Sequence, residues 1–320
     1  MTTSIILDVD TGIDDAMALM TAVRHPDLHV RAVTCVAGNV ALPAVVANTH
    51  AVLDLAGAGD VPVAAGADRP LVERPRDASH MHGADGLGNT DLPASAREVS
   101  SVHAVELMRR VLTESAEPVT IVALAPMTNL ALLLRMYPEV AERIEQVVFM
   151  GGSASVGNAT ASAEFNVWHD PEAASIVLNS GVPATMYGLD VFTRVAVPEP
   201  VVARLQQMDD PLARAVGGLL GYRAQVGVTD TAALRLIGDA GAVCALAAPH
   251  LVRTETWPVQ VDLAGLSRGR TIVDRRSRLG EDAMHGGADP WPEVEVTLDV
   301  DVAAMVDFFL KTLGCAGAAG

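Results

Sequence analysis

Positive charge is what this chain has least of. It carries one lysine, Lys311, and its 22 basic residues face 39 acids for a net charge of −17. A surface of that sign repels polyanions, which excludes nucleic acid or an anionic membrane as the main partner. Cysteine is scarce too. Cys35, Cys244 and Cys315 stand far apart, so they make neither a disulfide framework nor a zinc signature and suit a reducing compartment. Aromatic residues are 3% of a chain that is 50% hydrophobic, so the core has to be built from Ala, Val and Leu. No apolar run is long enough to span a bilayer, and the N-terminus lacks the basic-then-apolar order of a secretory signal. The expectation is a soluble, cytoplasmic protein whose 320 residues suffice for one large domain.

What the chain does have is acid, concentrated near its start. The stretch Ile5-Ile6-Leu7-Asp8-Val9-Asp10-Thr11-Gly12-Ile13-Asp14-Asp15-Ala16 sets a short β-branched run against four carboxylates. Residues 5–9 read as a buried strand. Thr11-Gly12 breaks it, and Asp14-Asp15 opens an amphipathic helix to about residue 23. A helix N-terminus accommodates an acid or two, worth about 0.3–1 kcal/mol each. Helix caps and a solvated turn therefore account for part of the cluster but not all of it. Acids this close repel unless a cation sits among them, and a hard divalent cation with oxygen ligands meets that need.

Apolar runs at 29–36, 61–66, 119–124, 146–150 and 184–189 read as further strands, and 257–262, 271–274 and 293–298 alternate as antiparallel strands do. Helical patterns fall at 43–56, 102–113, 205–226, 240–247 and 301–310, with two more opening at Thr128 and Asp170. The alternation predicts an α/β fold: residues 1–313 as a single domain with a mostly parallel open sheet flanked by helices, and 314–320 as a disordered tail. Ligands of such sheets gather at the carboxyl ends of the strands. Asp10, Asn39 and the carbonyl of Leu124 fall there, although Asn39 also reads as a turn residue. Asp239, ahead of the helix at 240–247, also reads as a plain N-cap. Residues 66–98 carry little periodicity but hold Ser79-His80-Met81-His82-Gly83, which suggests a functional loop. Asn158, Glu164 and Asn166 suit a polyhydroxylated ligand, or equally a polar surface loop.

These blocks resemble the nucleoside hydrolases of the inosine–uridine-preferring type. Members typically read Asp-x-Asp-Pro-Gly-x-Asp-Asp-Ala at the start, so Thr11 replaces a proline. The likeness continues at Gly38-Asn39, His82-Gly83-Ala84-Asp85-Gly86-Leu87-Gly88, Ala125-Pro126-Met127-Thr128-Asn129, Glu164-Phe165-Asn166 with Asp170-Pro171-Glu172, and Ser267-Arg268-Gly269-Arg270-Thr271. The resemblance implies an N-ribohydrolase that splits a ribonucleoside, its small-molecule substrate, into ribose and free base around a calcium ion. By position, Asp10, Asp15, the Leu124 carbonyl and Asp239 would ligate calcium. Asp10 would also be the base that activates water. Asp14, Asn39, Asn158, Glu164 and Asn166 would grip the ribose, and His82 would lie against the base. A homodimer or homotetramer is implied as well. Many members carry His where this chain has Gly238, and that His protonates the departing base. His80, His82 and Tyr222 are candidates for the missing role, and an unusual substrate choice is expected.

Two other readings compete. Asp8-Val9-Asp10-Thr11 fits the Asp-x-Asp motif of haloacid-dehalogenase-type phosphatases, but Lys311 lies in the last helix and Asp14-Asp15 would repel a phosphate. A catalytically silent nucleoside or ribose binder would keep the acids and lose the function of position 238.

Overall fold

The computed structural model describes residues 2–223, 235–278, 280–286 and 289–316. Nine strands form one sheet: β1 (Thr3–Val9), β2 (Leu28–Cys35), β3 (Val63–Ala65), β4 (Val119–Ala123), β5 (Ile144–Met150), β6 (Ala184–Tyr187), β7 (Val252–Val261), β8 (Thr271–Val273) and β9 (Glu293–Val300). Their spatial order is β3-β2-β1-β4-β5-β6-β9-β7-β8. Strands β1 to β6 and β9 pair in parallel, while β7 runs antiparallel to both β9 and β8. The mostly parallel sheet expected from the sequence is present.

Helices cover both faces. In chain order they are α1 (Ile13–Arg24), α2 (Leu42–Ala56), α3 (Ser79–His82), α4 (Ala104–Glu114), α5 (Thr128–Met136), α6 (Phe165–His169), α7 (Pro171–Leu178), α8 (Leu189–Phe192), α9 (Glu199–Leu205), α10 (Pro211–Gly221), α11 (Ala240–Ala247), α12 (Glu281–Met284) and α13 (Val302–Thr312). Successive side chains of a strand point to opposite faces, so each central strand serves two cores. Ile5, Leu7 and Val9 pack with α1, α2, α11 and α13, whereas Ile6 packs with α4, α5 and α7. Burial on both faces explains why these strands read as unbroken apolar runs. Among the described residues no helix is long and apolar enough to cross a membrane.

The strand order reverses direction at β1, which has β2 on one side and β4 on the other. Such a switch point opens a crevice at the carboxyl ends of the strands. Asp10 leaves β1 there and Leu124 leaves β4 there, with the Leu124 N–H donating to the Asp8 carbonyl at 2.9 Å.

One expected element differs. The helix anticipated at 205–226 is broken: α9 ends at Leu205 and α10 starts at Pro211. Proline cannot continue an incoming helix because its ring clashes with the preceding turn, but it fits the first turn of a new one. Asp210 caps that turn, accepting from the N–H groups of Leu212 and Ala213. Residues 224–226 lie outside the described residues. At the C-terminus, Cys315 is buried and its N–H donates to the Leu310 carbonyl at 2.7 Å. Residues 317–320 of the expected tail lie outside the described residues.

Candidate active site

The turn between β1 and α1 is folded by its own acids. Asp15, three residues into α1 from its cap, reaches back to accept from the N–H groups of Asp10 (3.1 Å) and Gly12 (2.9 Å). Those donors have no partner within the helix, so an acid at this position satisfies them. Asn39, leaving β2, then ties two acids together. Its side-chain amide donates to Asp10 Oδ1 and Asp15 Oδ2, both at 3.0 Å, and its backbone N–H donates to Asp10 Oδ2 at 2.8 Å. The opening acid Asp8 serves a different purpose. Its Oδ1 accepts from Thr34 (2.7 Å) and Asn129 (2.8 Å), holding β1, β2 and α5 together, and burial pushes its carboxyl up to about 7.

Asp239 completes the cluster from the other end of the chain. The segment before it is fixed by an antiparallel bridge between Ala196 and Leu236 and by the Ile237 N–H donating to the Val195 carbonyl at 3.1 Å. Asp239 stands at the cap position of α11, yet its side chain makes no capping hydrogen bond. It is turned instead toward Asp14 and Asp15, and one carboxylate oxygen from each of the three lies within 4.8 Å of the others. The plain N-cap reading is therefore displaced.

Burial raises the carboxyls of Asp10, Asp15 and Asp239 well above the usual range, and the neighbouring aspartates push in the same direction. Burial also pushes Glu164 up to about 7. The group fits a hard divalent cation. Its donors are all oxygen, and ligands about 2.4 Å from one ion lie at most about 4.8 Å apart. Asp14 Oδ1 is buried without a hydrogen-bond partner, as an unsatisfied ligand atom would be.

Above these acids a cavity of about 550 Å³ opens at the switch point, and it is lined by Asp14, Asn39, His82, Leu124, Asn158, Glu164, Asn166, Gly238 and Asp239. Every residue expected at the site lines this cavity except Asp10 and Asp15, which are wholly buried and joined to it through Asn39. The geometric trio thus contains Asp14, expected on the ribose, while Asp10 has both oxygens on Asn39. The Leu124 carbonyl is not free, because Asn166 Nδ2 donates to it at 2.9 Å and to the Met150 carbonyl at 3.1 Å. A carbonyl oxygen retains a second lone pair. Glu164 caps α6 and accepts from the N–H groups of Gly152, Asn166 and Val167, while Asn158 Oδ1 accepts from the Phe165 N–H.

The loop at 66–98 is held over the cavity. The Ala78 N–H donates to the Asn39 carbonyl at 3.0 Å, Asn48 Nδ2 donates to the Asp85 carbonyl at 2.8 Å, and the Leu71 N–H donates to Asp170 at 2.9 Å. His82 Nδ1 accepts from the Ile13 N–H at 3.1 Å and lies 3.7 Å from Asp14. Burial lowers the His82 pKa, and with Nδ1 accepting a hydrogen bond a neutral ring carries its proton on Nε2. His80 and Tyr222 line the same cavity.

Sequence reasoning missed Arg76 and Trp168, which also line it, with the guanidinium 4.2 Å from the indole centroid. Trp168 lies one helical turn beyond Glu164, a spacing that could have drawn attention to it. Nothing in the sequence marks Arg76.

A family model described as inosine-uridine preferring nucleoside hydrolase matches residues 5–307. The pyrimidine-specific ribonucleoside hydrolase RihA of Photobacterium profundum is 44% identical over 222 residues, covering 69% of this chain and 72% of that one. The inosine-uridine preferring nucleoside hydrolase of Crithidia fasciculata is 37% identical over 281 residues, or 87% and 89% of the two chains. Among solved structures, the purine-preferring ribonucleoside hydrolase from Gardnerella vaginalis superposes with a TM-score of 0.87 at 30% identity, covering 99% of both chains.

Proposed function

The chain belongs to the inosine-uridine preferring nucleoside hydrolase family, and from that premise we propose that it hydrolyses the N-glycosidic bond of a ribonucleoside with a calcium ion held by Asp10, Asp15, Asp239 and the Leu124 carbonyl. The observation that supports this reading is the Asp239 carboxylate, which leaves its helix cap unmade and lies beside Asp15 and Asp14 under the cavity, with Asp10 held to Asp15 through the Asn39 amide. When bound, the ion supplies positive charge that acidifies a water molecule and accepts the diol oxygens of the sugar.

In this reading water adds to C1′ while the C1′–N bond breaks, and its electron pair leaves with the base. Asp10 takes the proton from the attacking water. The transition state is oxocarbenium-like, so Asp14 and Glu164 stabilise charge developing on the ribose. Asn39, Asn158 and Asn166 orient the sugar hydroxyls.

His82 presents Nε2–H to the base as a neutral donor, since Nδ1 is occupied by the Ile13 N–H. Gly238 donates nothing. A general acid is typically worth ~100- to 10,000-fold, so the rate should depend strongly on how well each base leaves. The relatives' names divide between pyrimidines, inosine and uridine, and purines.

The test is free-base release from a panel of purine and pyrimidine ribonucleosides, with and without a calcium chelator. Release abolished by the chelator and restored by calcium is the expected result. Calcium binding with every nucleoside left intact would instead favour a silent binder.

A further inference from the structure

Backbone N–H groups fix the Glu164 carboxylate, and they differ in origin. Those of Asn166 (2.9 Å) and Val167 (3.2 Å) belong to α6, which Glu164 caps, so they move with it. That of Gly152, just beyond β5, donates to Oε2 at 2.9 Å. This bond sets Glu164 against the end of the sheet.

Gly152 aims its N–H through a turn that suits glycine. Its φ is +68, and a Cβ there would lie 2.7 Å from Thr271 Cγ2. Neighbouring elements then clamp the turn. The Gly152 carbonyl accepts from the Leu189 N–H at 3.0 Å. Thr271 Oγ1 accepts from the Ser153 N–H and donates to the Ser153 carbonyl, each at 2.8 Å. Asp190, in the first turn of α8, gathers the next three residues. Its Oδ2 accepts from the Ala154 N–H at 2.7 Å and from the Ser153 hydroxyl at 3.3 Å, and its Oδ1 accepts from the Ser155 hydroxyl at 2.7 Å. A charged acceptor makes such bonds stronger than neutral ones. Asp190 itself does not line the cavity.

From this arrangement we infer that Asp190 is a positioning residue for the sugar. It holds residues 153–155, which keep the Gly152 N–H on Glu164 and lead the chain on to Asn158. Its carboxylate thereby sets how closely a ribose hydroxyl is held. The inference rests on the ribose-binding role of Glu164 proposed above. A misplacement of about 1 Å originating far from the reacting atoms can cost ~100-fold in rate.

The experiment measures base release by the full chain, with calcium present, from a ribonucleoside and from its 2′-, 3′- and 5′-deoxy analogues. A site that hydrogen-bonds a hydroxyl rejects the analogue lacking it, so wild type shows which hydroxyls are held. For Asp190→Ala the expected kcat/KM on the ribonucleoside is about 10- to 100-fold lower, mainly through KM. Discrimination should weaken at one hydroxyl and persist at the others, with calcium affinity by calorimetry unchanged. A purely structural Asp190 would lower the melting temperature and leave KM and the discrimination as in wild type, which would overturn the assignment. Equal loss at every hydroxyl, or a parallel loss of calcium affinity, would overturn it as well. Absence of base release by wild type from every nucleoside would overturn the hydrolase reading and this inference together.

Should Asp190→Ala not fold, two milder variants serve. Ser155→Ala removes the 2.7 Å bond at an exposed residue, and Asp190→Asn keeps one acceptor oxygen. Both should raise KM several-fold, and wild-type KM in both would overturn the inference.

Discussion

Asp14 and Gly238 interlock: a Cβ on Gly238 would lie 2.4 Å from the Asp14 Cβ and 2.9 Å from its Oδ2. Gly238 also has φ +56, in the left-handed region where side chains cost about 1–2 kcal/mol. A side chain at 238, including the histidine that the family resemblance implies there, would have to displace Asp14. We expect Gly238→Ala to lower stability by about 1–3 kcal/mol and to lower kcat/KM by displacing Asp14 from the ribose. Gly238→His should lose activity rather than gain a general acid. Urea unfolding and kcat/KM on uridine and inosine test both variants. A stable Gly238→His that releases base faster than wild type would refute the interlock.

The Asp239 carboxylate makes a separate prediction because it has no structural duty as a cap. Asp239→Asn removes a charge from a mutually repelling buried group, so the metal-free protein should melt at an equal or higher temperature. The rise in melting temperature produced by calcium in the wild type, which follows the ratio of free ion to Kd, should shrink or vanish. Activity should fall by about 100-fold or more. Loss of metal-free stability, with the calcium effect intact, would return Asp239 to the role of a structural acid.

The contrast between Asp8 and Asp239 marks what the sequence could convey. Both are acids at element boundaries, and residue type alone cannot separate them. Asp8 Oδ1 accepts from Thr34 and from Asn129 far along the chain, and such long-range partners leave no local pattern. Strands such as Thr3–Val9 and Val119–Ala123 were legible because burial on both faces demands unbroken apolar runs. Their order was not, because the position of β1 between β2 and β4 is set by nonlocal pairing. Hence Asn39 could be placed at a strand end from sequence, but not recognised as the amide joining Asp10 to Asp15. The break before Pro211 was readable in principle, since Asp210-Pro211 is a helix-start signal, and the apolar pattern on either side obscured it.

Arg268 belongs to a block that carried resemblance without any assigned role. Its guanidinium bridges Glu73, in the loop at 66–98, to Glu172 on α7 at 2.9 and 2.7 Å. The three side chains are about a quarter exposed, so the bridge is worth about 1 kcal/mol at most in global stability. Its effect should be local. Arg268→Ala is expected to raise KM several-fold with a smaller change in kcat, and to speed amide exchange at residues 71–77. A kcat effect without a KM effect would mean that the bridge does not act through the loop carrying His82.

His169 gives the fold a pH response distinct from that of the acids. It is 1% exposed at the end of α6, packs against Phe165 with ring centroids 5.5 Å apart, and has neither ring nitrogen partnered within the protein. Burial, aided by the Arg76 charge, lowers its pKa from 6.5 to about 4. As pH falls below 6.5 the unfolded chain takes up a proton at this ring while the folded one does not, so stability falls with pH and the loss levels off near 4. Between pH 7.5 and pH 5 the loss from this residue is about 2 kcal/mol. The raised carboxyls of Asp8 and Glu164 act in the opposite sense, so the residue is isolated by difference. His169→Phe should be less sensitive to acid than wild type by that amount in urea unfolding at the two pH values. Parallel losses in both proteins would mean that the ring finds a partner for its proton in the folded state.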